Sequence, residues 1–378
     1  MKLYEFEGKR LLAENGIAVP RGQVATNAEE ASIAAAGLGD SVVVKAQLLV
    51  GGRGKAGLVR PASGRREAAQ VAAQILDGSL GGEKVQQVLV EERLQIAREL
   101  YLSISVDRLA GCPLILASSE GGVEIEDVAA ARPEAVVRRH VDVLKGLRAH
   151  EAMEVAKGIG LRGDEATSFS RFLLKLYGAF CQMDAHLVEV NPLALTAEGK
   201  LLAADAKVIV DDDAAFRQGI FQSRRHEPGL TELEREGREK RLGYVDLEGD
   251  VALMGNGAGL VLSLLDLVKH FGARPANFLD TGGGASRARA KDALTLVLKK
   301  AERDPQVKSI LLAFSLSISL PEDAAGGVLD ALAERGSRVP IFAVVHGTRA
   351  ELGEEMLRSA GIHVLPSIQE ATRAAAQA

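Results

Sequence analysis

The sequence has no tryptophan and only two cysteines, Cys112 and Cys181, among its 378 residues. Two cysteines in a chain of this length argue against a disulfide framework and suit a reducing compartment such as the cytosol. Aromatic residues make up only 4% of the chain, which makes a site built on aromatic stacking a poor expectation. No run approaches the ~18 apolar residues of a membrane helix, and residues 1–5 lack the apolar core of a secretory signal.

Positive charge is outweighed by negative charge, and the formal net charge of −5 disfavours a nucleic-acid surface. Hydrophobic residues make up 47% of the chain and charged residues 26%, as in a protein that folds around a normal core. At ~100–200 residues per domain, the length predicts two or three domains. The 40 glycines gather in a few places, which indicates tight turns or backbone held close to a ligand.

The first half of the chain mixes helical and strand-like segments. Apolar spacing predicts helices over 6–15 and 27–36, with Gly16 ending the first and Thr26 or Asn27 capping the second. Further segments are predicted as strands at 41–45, 85–91, 99–107 and 113–118, and as helices at 149–159 and 165–180. Two apolar runs around the loop 196–199 predict a hairpin, with strands at 186–195 and 200–210.

The second half follows a charge-dense stretch at 216–243, which we interpret as an inter-domain connection containing a solvated helix. Short buried strands are then predicted at 251–254, 276–279, 310–314, 341–345 and 363–365. Helices are predicted between them at 258–271, 286–302, 322–334 and 350–360. This alternation predicts one flavodoxin-like domain, a parallel sheet with helices on both faces. Ligands of such sheets bind beyond the carboxyl ends of the strands.

A glycine-rich segment with positive charge follows the predicted strand that ends at Lys45. A lysine at a strand end can approach phosphate as a point charge. The run 51–57 contains four glycines, whose backbone N–H groups can close around phosphate oxygens, while Arg53 and Lys55 add charge. The Gly-Lys-Ser/Thr order of a Walker loop is missing. The same residues could also form a basic surface turn.

Polar residues on the predicted hairpin form a second candidate site. If the hairpin is centred on Glu198, Asn191 pairs with Asp205 and Glu189 with Lys207, and all four side chains share one face. A carboxylate and an amide oxygen beside phosphates are hard ligands suited to Mg²⁺. The alternative is a solvent-facing hairpin with cross-strand charge pairs. A register slip of one residue would scatter the set.

Two glycine-rich turns form the third candidate, at 254–260 and 280–286. Each follows a predicted strand and opens a helix, so both place N–H-rich helix starts at the carboxyl edge of the sheet, where anions bind. A dinucleotide fold is disfavoured because no acidic residue is placed to contact a ribose. The seven histidines show no metal spacing, and no Gly-x-Ser-x-Gly elbow occurs.

Taken together, these strings resemble the beta subunits of succinyl-CoA synthetases across nearly the whole chain. The matching strings lie at 43–57, 89–91, 96–101, 120–126, 189–193, 204–207, 256–260 and 275–285. The resemblance implies an α/β protein with an N-terminal ATP-grasp domain at 1–225, a linker at 226–243, and a flavodoxin-like CoA-ligase domain at 244–378.

The resemblance also implies roles for individual residues, although it assigns no catalytic residue. Nucleotide contacts are expected from Lys45, Gly52, Arg53, Gly54, Glu91, Leu94 and Glu99. Mg²⁺ is expected at Asn191 and Asp205, and the acid substrate at Asn256, Ser317, Ile318 and Ser319. The implied reaction joins a carboxylic acid to CoA as ATP becomes ADP and phosphate. The implied partner is an alpha subunit that binds CoA and carries a phosphorylated histidine.

The segment 313–323 departs from the family pattern Asn-Ile-Phe-Gly-Gly-Ile-x-Arg-Cys-Asp, because its paired glycines and arginine are missing. Losing the arginine removes a bidentate clamp for carboxylate or phosphate, while Ser317 and Ser319 can still donate hydrogen bonds. Two interpretations follow. The chain is either part of an active synthetase for succinate or a related acid such as malate or citrate, or an ATP-binding regulatory subunit without acyl transfer. The motifs do not separate ATP from GTP, or a dimer from a tetramer.

Overall fold

The structure is a computed structural model that describes residues 1–214, 216–219, 230–317 and 319–378. The chain divides into two compact units, Met1–Pro228 and Gly229–Ala378. The predicted boundary at 225/226 lies outside the described residues, so the predicted domain limits stay a prediction. Of the helices in the described part of the chain, none combines the length and the apolar character needed to cross a membrane.

A four-stranded antiparallel sheet forms the first part of the N-terminal unit. Its strands, in spatial order, are β1 (Gly22–Ala25), β6 (Val88–Glu92), β2 (Ser41–Ala46) and β3 (Val59–Ser63). Helices α2 (Ala28–Leu38) and α3 (Gly64–Leu76) pack against each other and against this sheet. A two-stranded ribbon follows α3, formed by β4 (Ser79–Leu80) and β5 (Glu83–Lys84). Three consecutive valines favour a strand at β2, and the alternation of its side chains places Val42 and Val44 in the core that this sheet shares with its helices.

A second sheet forms the larger core of the same unit. Its antiparallel strands are β7 (Ile96–Asp107), β8 (Cys112–Ser118), β9 (Val136–His140), β10 (Ala185–Thr196), β11 (Leu201–Ala203) and β12 (Lys207–Val210). The helices of this part are α1 (Glu5–Glu14), α4 (Ile125–Ala131), α5 (Ala149–Gly158) and α6 (Gly163–Gln182). Apolar side chains of α6, among them Phe169 and Leu173, are fully buried in this core. Gly16 has a φ of +73° just after α1, which is the left-handed conformation expected where a helix ends.

The C-terminal unit contains a six-stranded sheet with helices on both faces. Its strands, in spatial order, are β13 (Gly243–Asp246), β15 (Asn277–Asp280), β14 (Val251–Gly255), β16 (Ser309–Leu316), β17 (Ile341–Gly347) and β18 (His363–Val364). Its helices are α7 (Glu232–Glu239), α8 (Ala258–His270), α9 (Arg287–Arg303), α10 (Pro321–Arg335), α11 (Ala350–Ser359) and α12 (Ile368–Ala376). The five parallel strands follow the order of a flavodoxin-like sheet, as predicted, and β13 adds an antiparallel edge.

The helix predicted as solvated in the inter-domain connection is packed instead. Leu233 of α7 is buried in the core of the C-terminal unit. On the same helix, the carboxylate of Glu236 lies 2.6 Å from the ammonium group of Lys299 on α9. The sequence pattern predicts a solvated helix because only one of its apolar residues is large. The charged residues form ion pairs that a sequence pattern does not reveal.

Gly327 allows helices α9 and α10 to pack closely. A Cβ atom at Gly327 would lie 2.1 Å from the backbone oxygen of Arg287 on α9. Because backbone cannot move aside cheaply, we expect Gly327→Ala to lower the free energy of unfolding by about 1 to 3 kcal/mol. Gly259→Ala on α8 is the matched control, since a Cβ there meets no atom within 4 Å. Denaturant unfolding of both variants tests this, and equal midpoints for Gly327→Ala and wild type would contradict it.

Candidate functional site

A cavity of about 720 Å³ lies in the N-terminal unit, lined by residues of both of its larger sheets. Its apolar lining comes from Pro20, Val43, Val59, Leu94, Ile96 and Pro192. Its polar lining includes Lys45, Glu91 and Asp205. A volume within ~300–1,000 Å³ is typical of small-molecule sites. The wall of this cavity mixes apolar side chains with charged ones, which also include Glu92 and Arg93. Four residues expected at the nucleotide and the metal therefore meet at one cavity: Lys45, Glu91, Leu94 and Asp205.

Six ionisable side chains adjoin this cavity, and we call them the buried charge cluster. Its members are the acids Glu5, Glu91 and Asp205 and the bases Lys9, Lys45 and Arg53. Three acids and three bases balance in formal charge, which is what burial demands. Five of these side chains are at most 12% exposed, whereas that of Asp205 is 31% exposed. Asp205 is thus the member that solvent or a ligand reaches most easily.

Lys45 directs all three of its ammonium hydrogens into the cluster. Its Nζ atom lies 2.9 Å from Oε1 of Glu5 and 2.8 Å from Oε2 of Glu91. The same Nζ donates to the backbone oxygen of Ala204 at 2.6 Å. Burial works to lower the pKa of Lys45, but the charges of Glu5, Glu91 and Asp205 outweigh it and raise that pKa. Lys45 therefore stays protonated, as a phosphate contact requires.

Arg53 bridges the buried and the exposed sides of the cluster. Its Nη1 atom donates to Oε2 of Glu5 at 2.7 Å and to the backbone oxygen of Ala46 at 2.9 Å. Its Nη2 atom donates to both carboxylate oxygens of Asp205, at 3.0 and 2.8 Å. One end of the guanidinium is thus anchored in the interior, and the other faces the cavity through Asp205.

The glycines beside Arg53 leave the backbone open. Gly52 has a φ of +85°, a conformation that favours glycine. A Cβ atom at Gly51, Gly52 or Gly54 would meet no atom within 4 Å. Packing against other protein atoms therefore does not explain these glycines. Close approach of a ligand to the loop backbone, as predicted for phosphate, is compatible with this geometry.

The hairpin has the predicted register at both ends but not in its middle. Glu189 pairs with Lys207, and Leu193 pairs with Ala203, as a hairpin centred on Glu198 requires. Between these pairs the ladder is interrupted, because β11 ends at Ala203 and β12 begins at Lys207. The predicted Asn191–Asp205 pair falls in this gap and does not form. Asp205 instead turns its carboxylate to Arg53.

The two residues expected at the metal fit a magnesium ion in their chemistry. The amide of Asn191 is fixed because its Oδ1 atom accepts from the backbone N–H of Gly122 at 2.7 Å and its Nδ2 atom donates to the oxygen of Val123 at 2.9 Å. Its Oδ1 atom keeps a second lone pair. The carboxylate of Asp205 already faces a cationic group. The described residues contain no cluster of three or more His, Cys, Asp or Glu side chains suited to a metal, and Mg²⁺ takes much of its coordination from phosphate and water.

Sequence reasoning missed two members of the cluster, Glu5 and Lys9. The carboxylate of Glu5 lies 2.7 Å from Nζ of Lys9, and that Nζ lies 2.6 Å from Oε1 of Glu91. A glutamate four residues before a lysine on a helix normally predicts an exposed ion pair. The sequence gives no signal of this kind, because residues 5–10 contain four charged side chains, as an exposed helix face would. Only the fold shows that Glu5 and Lys9 are buried.

Glu99 does not line the cavity. It lies on β7, where its backbone oxygen accepts from the N–H of Gly121 at 3.0 Å. A Cβ atom at Gly122 would lie 2.1 Å from Oε2 of Glu99, so the carboxylate is next to the loop that also holds Asn191. The expected nucleotide contact of Glu99 stays a prediction.

The residues expected at the acid substrate lie at the carboxyl edge of the parallel sheet in the C-terminal unit. Asn256 follows β14, and its side chain donates to the backbone oxygen of Ser315 at 2.8 Å and accepts from its N–H at 2.7 Å. Asp280 ends β15 and accepts from the N–H groups of Gly257 and Gly282, at 2.6 and 2.7 Å. The two glycine-rich turns are therefore tied together at this edge, as the topology predicts.

The turn after β16 reaches the same edge. The Oγ atom of Ser319 lies 3.5 Å from the position that a Cβ on Gly284 would occupy, so this serine is close to the second glycine-rich turn. Ser317 is exposed, and Ile318 lies outside the described residues. Helix α10 then begins at Pro321 with two acids in its first turn, Glu322 and Asp323, so the helix start carries negative charge.

Comparison with protein families assigns residues 2–195 to the ATP-grasp domain and residues 254–378 to the CoA-ligase domain. The predicted fold class, an ATP-grasp domain followed by a flavodoxin-like CoA-ligase domain, is confirmed. Two curated relatives are named ADP-forming succinate–CoA ligase subunit beta. The protein from Ignicoccus hospitalis is 42% identical, covering 99% of this chain and 98% of that protein. The protein from Rubrobacter xylanophilus is 42% identical, covering 100% of this chain and 98% of its own length.

Among solved structures, ATP citrate lyase from Methanothrix soehngenii in complex with citrate and coenzyme A has the same fold. The TM-score is 0.81, and the match covers 100% of this chain and 99% of that one. The sequence identity of 21% limits this likeness to the fold itself. The curated relatives, in contrast, match along their whole length at an identity that shows common family membership.

Proposed function

The chain belongs to the family of ADP-forming succinate–CoA ligase beta subunits, and from this premise we propose that it binds ATP with Mg²⁺ in its N-terminal cavity. As a member of this family, it is the beta subunit of a nucleotide-dependent acyl-CoA synthetase, an acid–thiol ligase. A beta subunit of this kind works with an alpha subunit. The observation that carries the proposal is the cavity that brings Lys45, Glu91, Leu94 and Asp205 together beside the buried charge cluster.

The proposed reaction transfers the γ-phosphoryl group of ATP to a histidine of the alpha subunit and releases ADP. The phosphoryl group then passes to the carboxylate of the acid, and the CoA thiol displaces it as phosphate to form the thioester. Phosphoryl transfer needs positioned charges more than covalent chemistry from the protein. A subunit in which buried acids hold Lys45 and Arg53 in fixed positions suits this first step.

The residues divide the work within the N-terminal cavity. Lys45 and Arg53 neutralise phosphate charge, and the open backbone of the loop that contains Gly52 and Gly54 donates N–H groups to phosphate oxygens. Leu94 packs against the base from the apolar wall, beside Glu91. Glu99 contacts the ribose from the neighbouring strand. Each of these roles follows the family assignment and agrees with the burial and charge of the residue concerned.

Asn191 and Asp205 would hold the magnesium ion through their side-chain oxygens. When bound, the ion supplies positive charge that offsets the charge developing on the transferred phosphoryl group. The hydrogen bond that Asn191 accepts from Gly122 and the one that it donates to Val123 orient its amide before any ligand arrives. Asp205 becomes available when Arg53 releases it.

At the acid site, we propose that Asn256 contacts the substrate together with the turn that contains Ser317, Ile318 and Ser319. The first turn of α10 bears Glu322 and Asp323, and Oε1 of Glu322 lies 2.8 Å from the guanidinium of Arg349. Two carboxylates at a helix start oppose the binding of a further anion there. The carboxylate of the acid is therefore expected near the starts of α8 and α9, whose first turns carry no acid. It would use N–H groups other than those of Gly257 and Gly282, because Asp280 already accepts from both.

The test is a panel of acids with the full chain co-expressed with its alpha subunit. Succinate, malate, citrate and shorter monocarboxylic acids are compared for ADP release that depends on both CoA and the acid. We expect turnover with at least one acid, together with an acid-labile phosphohistidine on the alpha subunit after incubation with ATP and Mg²⁺.

The two readouts separate the proposed activity from the regulatory alternative. Binding of Mg·ATP with no phosphohistidine and no turnover on any acid would support the ATP-binding regulatory subunit, which the altered segment 313–323 motivates. A wild-type complex that shows no Mg²⁺-dependent affinity for ATP or GTP would overturn both. Lys145→Met is a suitable control variant, because this lysine is exposed, pairs with Asp142 and does not line the cavity.

A further inference from the structure

Glu5 is the most highly connected acid of the buried charge cluster, although it lies on α1 and does not line the cavity. Its carboxylate lies within 2.9 Å of three cationic groups, those of Lys9, Lys45 and Arg53. Its side chain is only 2% exposed. Burial works to raise the pKa of Glu5, but the charges of Lys45, Lys9 and Arg53 outweigh it and hold that pKa well below its ordinary value. Three cationic groups around one buried carboxylate therefore favour its ionised form.

The partners of Arg53 differ in how easily a ligand can replace them. Its Nη1 side is held by Glu5, which solvent does not reach, and its Nη2 side by Asp205, which lines the cavity. An incoming phosphate can compete for the Nη2 side only. The contact with Glu5 therefore remains when a ligand binds, and it fixes the point about which the guanidinium group can rotate.

The partners of Lys45 also differ in how easily a ligand can replace them. Its three hydrogens go to Glu5, Glu91 and the backbone oxygen of Ala204, so a phosphate must replace one of them. Lys9 also stabilises this arrangement, because its Nζ atom contacts Glu5, Glu91 and the same oxygen of Ala204. Lys9 thereby keeps the two carboxylates together, although each is also drawn to Lys45.

We infer that Glu5 is a positioning residue of the nucleotide site, whose buried carboxylate holds Lys45 and Arg53 in the places from which they bind phosphate, with Lys9 holding Glu5 and Glu91 together. This inference rests on the proposed function, because it takes Lys45 and Arg53 as phosphate contacts. It adds two residues of the first helix that do not touch the ligand themselves.

Two effects of removing the Glu5 charge oppose each other. The cluster would change from balanced to one net positive charge, which by itself attracts a polyphosphate more strongly. At the same time, Lys45 and Arg53 would lose their shared anchor and settle on the remaining acids. Misplacement of a reacting group by about 1 Å costs on the order of 100-fold in rate, so we expect the loss of position to dominate.

The experiment compares Glu5→Gln with Glu14→Gln in the full chain co-purified with its alpha subunit. Both changes remove one carboxylate from α1 with little change in size, but Glu14 is exposed and its nearest ion pair, with Arg10, is 4.0 Å long. Binding of Mg·ATP, Mg·ADP and AMP is measured by titration calorimetry, and KM and kcat are measured for ATP, CoA and the acid.

We expect Glu5→Gln to weaken Mg·ATP binding by about 10- to 100-fold, with a smaller loss for Mg·ADP and the smallest for AMP. KM for CoA and for the acid should not change, and Glu14→Gln should match wild type throughout. A general loss of structure would weaken all three nucleotides equally and lower the melting temperature, so the graded loss identifies positioning. If Glu5→Gln does not fold, Glu5→Asp takes its place, with the same graded loss at a smaller size.

Three results would overturn the inference. These are equal Mg·ATP affinity in Glu5→Gln and wild type, tighter binding in the variant, or an equal loss for ATP and AMP in every variant that folds. Tighter binding would mean that Glu5 competes with phosphate for the two cations. The proposed function fails separately, because its failure appears as an absence of Mg·ATP binding in the wild-type complex of the same titration series.

Discussion

Asp205→Asn is expected to lower kcat/KM for ATP by about 100- to 1,000-fold, the loss typical of removing one group that stabilises transition-state charge. Asp205 is the most exposed acid of the buried charge cluster and lines the cavity. An asparagine there keeps the size of the side chain but loses the charge that would hold Mg²⁺. The Mg²⁺ concentration for half-maximal activity should therefore also rise. Rates measured over a series of Mg²⁺ concentrations at saturating CoA and acid test both effects.

The control for this prediction is Asp213→Asn. Asp213 lies in a short 3-10 helix after β12 and is exposed, so it shares the strand region of Asp205 without lining the cavity. We expect this variant to behave like wild type. A Mg²⁺ dependence for Asp205→Asn that overlaps the wild-type curve would remove Asp205 from the metal site.

Lys45→Met should have the second large effect, again about 100-fold or more on kcat/KM for ATP. The methionine keeps the unbranched shape of the lysine stem but removes the ammonium group. Glu5 and Glu91 would then lose a cation that lies 2.9 and 2.8 Å away, and breaking a buried ion pair in this way costs about 3 to 5 kcal/mol of stability. The variant should therefore both lose affinity for Mg·ATP and unfold at a lower temperature.

Two further variants separate charge from geometry at Lys45. Lys145→Met removes a charge from the surface of the same unit, where the lysine side chain is 61% exposed, and should change neither property. Lys45→Arg keeps the charge, but a planar guanidinium cannot direct three hydrogens to Glu5, Glu91 and Ala204 as the ammonium does, so it should not restore the rate. Full activity in Lys45→Met would contradict the role of Lys45.

The parts of the fold that the sequence predicts well are those with a strong local period. The strands over 251–255 and 309–316 are short buried runs between long amphipathic helices, and both lie where predicted. The hairpin register follows from its loop, because a turn centred on Glu198 fixes the Glu189–Lys207 pair. In both cases residues that are close in sequence determine the outcome.

The missed elements depend on distant partners. The edge strand Gly243–Asp246 pairs antiparallel with a strand more than thirty residues further along the chain, and nothing in its own four residues indicates that pairing. Strand Val59–Ser63 contains a proline, so its own sequence predicts a loop. The segment forms a strand because it pairs with Ser41–Lys45. Tertiary pairing overrides weak local preference at both places.

The same reasoning explains what the sequence shows of the candidate site. Lys45, Arg53 and Asp205 lie in strings that match the family, and the structure places all three within one network. Glu5 and Lys9 carry no such signal, because their importance lies in burial and in contacts that span up to 195 residues of chain. A sequence pattern predicts that a charged residue is exposed, and only the fold shows that it is buried.

At the acid site, the fold is kept although part of the sequence pattern is lost. The strings at 256–260 and 280–285 match the family, whereas 313–323 does not, although all three segments meet at one edge of the sheet. The architecture therefore persists where the side chains have changed. This is the expected result when a sheet with fixed loop positions is kept and its selectivity is altered by substitutions in a single turn.

The interruption of the hairpin at residues 204–206 has a practical consequence for anyone who redesigns this protein. A continuous ladder through this stretch would make the hairpin more regular and, by ordinary rules of strand design, more robust. The register places Ala204 opposite Pro192, so the redesign would need a residue with a backbone N–H at position 192. That N–H would engage the oxygen of Ala204 and withdraw it from the ammonium groups of Lys9 and Lys45, which now share it. Optimising this hairpin for stability alone would therefore produce a more stable protein with a lower affinity for its nucleotide.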